Sequence, residues 1–152
     1  MEKSIKQVEE FYKTFNIPYE QKPTIPSIDR CKLRIDLLQE ELDELKEAID
    51  NKDIVEIADA LLDIKYILNG GILEFGMADL TEKLFDEVHR SNMSKACDSE
   101  EDAIKTIEHY KNNYNTESYH QEFNGKWLVY RKEDHKLLKS INYSKVNLND
   151  IL

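Results

Sequence analysis

Apolar residues recur at helical spacing along most of the chain. Ile5, Val8, Phe11, Tyr12 and Phe15 predict an amphipathic first helix over residues 2–15, ending at Asn16 before Pro18. The prolines at 18, 23 and 26 then interrupt regular structure, and the chain is expected to run extended between them. A second helix is predicted from Ser27, as N-cap, to about Asp50. Its apolar arc centres on Arg34, Leu38, Leu42, Leu45 and Ile49, with Glu41 inside the arc and Glu44 at its edge. Arg30 stands where a capping box prefers Glu or Gln, so that cap signal is half present. The polar run Asp50-Asn51-Lys52-Asp53 is short enough to fold the next helix back as an antiparallel hairpin.

The third helix is expected to start near Asp53, with Glu56 at its third position, and to continue through Gly70-Gly71 to Phe75 because the period does not break there. Apolar residues occupy most of its circumference, which predicts a mostly buried helix whose acidic stripe, Glu56, Asp59 and Asp63, faces a cleft. A fourth helix is predicted from the pair Asp79 and Glu82 to about Asn92, and a fifth from Ser99 to about Lys111. Beyond it the pattern changes. Residues 121–123 and 126–131 read as strands joined by a tight Asn124-Gly125 turn, with a short third strand at 136–139. The fold class expected is mainly α, a four- to five-helix bundle with a small C-terminal β-hairpin or meander. Residues 1–115 would form the helical domain and 116–152 the β appendage.

On the hairpin of the second and third helices lie two acidic pairs, Glu41-x-x-Glu44 and Glu56-x-x-Asp59. A spacing of three sets side chains about 60° apart on one helix face. Four oxygen donors converging from two helices suit a hard divalent cation, Mg²⁺ or Mn²⁺, and Mg²⁺ is commonly shared with substrate phosphates. An ordinary solvated acidic face is the other reading of the same spacing. Charge sharpens the choice of partner: 21 basic against 31 acidic residues give a net charge of −10. That balance argues against sequence-independent binding of nucleic acid or anionic membranes, so a polyanionic substrate would need a metal.

None of the four histidines follows a Glu by three in the hairpin, against a di-iron carboxylate bundle, and neither a Walker A loop nor Gly-x-Ser-x-Gly is present. Cys31 and Cys97 make no framework and are expected as reduced thiols. No signal-peptide pattern or membrane-spanning run is visible, so a soluble cytoplasmic protein is expected. The run His89 to Lys95 is the local candidate for anion contacts, or else an ordinary basic helix end.

Glu40-Glu41-x-x-Glu44, the short turn, Glu56-x-x-Asp59 and the later Arg90-Ser91-Asn92-Met93-Ser94-Lys95 together resemble the all-α nucleoside triphosphate pyrophosphohydrolases, the superfamily of MazG-like proteins, over roughly residues 5–110. The phosphoribosyl-ATP pyrophosphohydrolase-like branch is the most similar. The resemblance implies a helical homodimer or homotetramer in which Glu41, Glu44, Glu56 and Asp59 bind Mg²⁺ or Mn²⁺. It implies cleavage of a nucleotide between its α- and β-phosphates, to monophosphate and pyrophosphate. Glu40 and Glu41 would serve catalysis, and Arg90, Asn92 and Lys95 would contact the substrate. The C-terminal hairpin lies outside the superfamily's minimal core. The alternative is a non-enzymatic helical dimer that binds a partner or a nucleotide.

Overall fold

A computed structural model describes all 152 residues. Its elements are α1 (Lys3–Thr14), α2 (Ile28–Asn51), α3 (Ile54–Glu74), α4 (Thr81–Met93), α5 (Glu100–Tyr114), β1 (Ser118–Phe123) and β2 (Lys126–Arg131). The protein is mainly α, as its periodicity predicts. Two compact units divide it, residues 1–83 with Leu152 and residues 84–151.

In the first unit α2 and α3 form the expected antiparallel hairpin, and α1 packs on α3. The turn is sharp because Lys52 takes a left-handed φ of 55° and ends α2, while its N–H and that of Asp53 still reach the carbonyls of Ile49 and Ala48. Asp53 then accepts from the N–H groups of Val55 and Glu56, which starts α3 at once. Ser27 caps α2 through a long 3.5 Å bond from Arg30 N. Ile5, Val8, Tyr12, Leu73 and Ala78 make the core of this unit.

Helix α3 runs unbroken through Gly70-Gly71, and the glycine at 70 has a packing reason: a Cβ there would stand 2.5 Å from the Tyr12 hydroxyl and 3.0 Å from Arg34 Nη1. The expectation of a mostly buried α3 is not met within one chain. Ile54, Leu61 and Leu68, seven residues apart, are 74%, 51% and 51% exposed, and Val55 and Leu62 are exposed beside them. Two helices cannot cover an apolar surface that extends round most of a third.

The second unit holds most of α4, then α5 and the hairpin. Ser99 caps α5 by accepting from Asp102 N at 3.1 Å. Asn124 and Gly125 both have positive φ, 51° and 72°, which gives β1 and β2 their two-residue turn. Cys97, Ala103, Val129 and Leu138 form a separate core between α5 and the hairpin. Two expectations are corrected here. Helix α4 starts at Thr81, so Asp79 lies in the preceding turn rather than at its cap. The predicted third strand shrinks to one bridge between Leu137 and Tyr130, because His135 turns back at φ 56° and the Asp134 carboxylate takes up the N–H of Lys136.

Candidate active site

The α2–α3 hairpin places the acidic residues of its two helices opposite one another. Of the two acidic pairs, Glu41 is the least exposed member. Its Oε2 is buried and finds no hydrogen-bond partner, a state that costs free energy in a folded protein. Burial raises its pKa, and the charges of Glu44, Asp63, Glu40 and Asp59 raise it further. Carboxylates from both helices therefore act on one group. No basic side chain forms an ion pair with any of them. Toward the hairpin turn, Glu44 and Glu56 line one cavity of about 320 Å³ with Glu47, Ala48, Asn51 and Asp53.

Each expected ligand thus stands on the hairpin, but not as a closed cage. Glu40, Glu44, Glu56, Asp59 and Asp63 have exposed side chains, and no three acidic, histidine or cysteine side chains stand at the spacing of a shared ion. The donor set nevertheless fits a hard cation: every group is a carboxylate, and the buried Glu41 oxygen lacks a partner.

Arg90, Asn92 and Lys95 belong to the second unit. The Arg90 guanidinium donates to both Glu87 oxygens, at 2.6 and 2.8 Å, and to Lys145 O at 3.1 Å. Asn92 donates to Val88 O and accepts from Lys95 Nζ at 2.7 Å.

One feature leaves almost no trace in the sequence. Glu74, only 2% exposed, receives a bidentate pair from Arg30 at 2.9 and 2.5 Å and a bond from the Tyr12 hydroxyl at 2.8 Å, with Arg34 Nε at 3.3 Å. Arg34 Nη1 also donates to the Tyr12 oxygen. Burial and the bond to Glu74 push the Tyr12 phenol upward, so it stays a neutral donor. The only hint in the sequence is a lone acid in the apolar run Gly71-Ile72-Leu73-Glu74-Phe75.

The chain is a member of the MazG-like all-α nucleoside triphosphate pyrophosphohydrolase superfamily. Within that superfamily the chain belongs to the phosphoribosyl-ATP pyrophosphohydrolase family, whose profile matches residues 8–92. The match takes in both acidic pairs, Arg90 and Asn92, and stops short of Lys95. An uncharacterized protein of Acanthamoeba polyphaga mimivirus is 26% identical to the chain, covering 95% of it and 94% of the relative. Membership points to a hydrolase acting on the pyrophosphate linkage of a nucleotide, in a superfamily that generally uses divalent metals. No helix is long and apolar enough to cross a membrane.

Proposed function

We propose that the protein hydrolyses a nucleoside triphosphate, or a related nucleotide, between its α- and β-phosphates, with Mg²⁺ or Mn²⁺ held by Glu41, Glu44, Glu56 and Asp59. The observation that carries this reading is the partnerless buried oxygen of Glu41 among four further carboxylates, a concentration of negative charge with no basic side chain paired to it. When bound, the metal supplies positive charge to the phosphates, acidifies the attacking water and orients the leaving pyrophosphate. Glu40 accepts a proton from that water, and Asp63, within reach of Glu41's field, orients it. Asn92 and Lys95 contact the nucleotide phosphates, with Arg90 beside them. We assign catalysis to residues 1–115, treat 116–152 as an appendage, and place the enzyme in the cytoplasm as a homodimer or homotetramer; the exposed apolar stripe of α3 supports self-association.

Pyrophosphate release from a panel of nucleoside triphosphates and phosphoribosyl-ATP, with Mg²⁺ or Mn²⁺, tests the reading. Turnover should depend on metal, and the double variant Glu41→Gln, Glu44→Gln should lose about 100-fold or more. No turnover of any substrate, with a melting temperature indifferent to metal, would instead favour the partner-binding module.

A further inference from the structure

The C-terminal tail, beyond the hairpin and beyond the residues the family profile matches, is fastened along the end of α4. Ser140 N donates to Lys95 O at 3.0 Å, and Ser144 N donates to Ser94 Oγ at 2.9 Å. Ser94 Oγ lies 3.3 Å from Ser144 O, Arg90 donates to Lys145 O, and Asn147 N donates to Glu87 Oε1 at 2.8 Å. Arg90, and then that N–H, hold the Glu87 carboxyl down at about 2, so the anchor stays charged at any ordinary pH. Together these bonds fix the register of the tail.

That register gathers positive charge in a chain of net charge −10. Lys139 Nζ lies 4.5 Å from the centroid of the Tyr143 ring, a cation–π contact. The Tyr143 oxygen accepts from Ser91 at 3.3 Å, which leaves its own proton without an acceptor. The Ser91 bond, followed by the charges of Lys139, Lys95 and Lys145, holds that phenol below its ordinary value. Lys139 thus lies over the ring, Lys145 follows Tyr143 by two residues, and Lys95 is tied to the tail through its own carbonyl; none of the three is paired with a carboxylate. Lys95 is bonded to the neutral Asn92 amide, while Glu87, the acid anchoring the tail, is taken up by Arg90 and Asn147.

We propose that the docked tail completes a phosphate-binding site in which Lys95, Lys139, Lys145 and the Tyr143 hydroxyl take the phosphate groups of a nucleotide. Ammonium groups supply point charges to the phosphate oxygens, and the phenol donates a directed bond. The inference rests on the reading of Lys95 as a substrate contact and adds three residues that lie outside the family's matched segment. Within the nucleotide reading the appendage thereby acquires a role, since its tail recruits the polyphosphate.

The test is a calorimetric titration of the full chain in EDTA, first with inorganic pyrophosphate and then with a nucleoside triphosphate bridged by α,β-methylene. The nucleotide analogue should bind, and Lys139→Ala and Lys145→Ala should each weaken it by about tenfold, with added salt weakening the native protein in the same direction. Lys136→Ala, in the same segment but outside the cluster, should leave the affinity as it is. Unchanged affinity in the Lys139→Ala, Lys145→Ala double variant, or no binding of either ligand to the native chain, would overturn the proposal. Binding of pyrophosphate alone would overturn its nucleotide assignment. The α,β-methylene bridge has no P–O–P bond to cleave at that position, so this result stands or falls independently of the turnover assay.

Discussion

At the scale of single residues the chain treats its carboxylates in two opposite ways. Glu74 is buried and fully matched: two guanidinium groups and a phenol surround it, so its charge is compensated where water is absent. Glu41 is inward-facing and surrounded by acids, so its charge is uncompensated by anything the chain supplies. The first arrangement holds the fold, and the second leaves work for a ligand. Replacing Glu74 by Gln would strand Arg30 and Arg34 without their counter-charge, and urea unfolding should show a loss of about 3 kcal/mol, since removing one member of a buried pair costs most. Arg30 remains about a quarter exposed, which keeps the loss at the lower end of that range. Glu82→Gln, on the surface, should shift the midpoint hardly at all. The two roles differ in legibility. Glu41 and its neighbours are legible as a candidate group because carboxylates three apart on a helix leave a local pattern. The partners of Glu74 stand 44 and 62 positions away, and no helical wheel brings such residues together.

Among the elements, the legible part was the one governed by short-range chemistry. The N-caps at Ser27, Asp53 and Ser99, the turn at Lys52 and the Asn124-Gly125 hairpin all depend on groups within five residues, and each lies where the sequence puts it. The two differences arise locally: at α4 the turn over residues 78–80 delays the helix to Thr81, and at residues 136–139 the Asp134 carboxylate takes up the N–H of Lys136. The glycine pair of α3 separates local propensity from packing. Ala is the better helix former at both positions by about 1 kcal/mol. At Gly71 nothing lies within 4 Å of an added Cβ, so Gly71→Ala should raise the melting temperature. At Gly70 the methyl group would push on the Tyr12 hydroxyl and on Arg34, both locked to Glu74, so Gly70→Ala should lower stability by about 1–3 kcal/mol. Equal shifts in thermal unfolding of the two variants would show that the Tyr12–Arg34–Glu74 network gives way freely.

For the whole molecule the question is what covers α3. Its sequence is that of a buried helix, yet a single chain leaves Ile54, Leu61 and Leu68 exposed along one line with a seven-residue repeat. A seven-residue apolar repeat is the spacing at which helices can pair. Composition could predict the burial but not its source, because a wheel records which face avoids water and not whether a helix of the same chain or of another copy meets it. Scattered apolar residues on a surface need no explanation, whereas a continuous stripe on the element that also carries Glu56 and Asp59 would set any second copy beside the candidate site. Leu61→Glu places a charge in the middle of the stripe, half exposed in the isolated chain and desolvated in an assembly. The native protein should sediment as a dimer or larger at micromolar concentration, and the variant as a monomer with its helical circular dichroism retained. A native protein that sediments as a monomer throughout would leave the seam without a second copy. Should the variant dissociate and lose metal-dependent turnover while its helices persist, the hairpin carboxylates need a neighbouring copy to work, and the apolar side of α3 is then part of the enzyme's machinery as much as its acidic side.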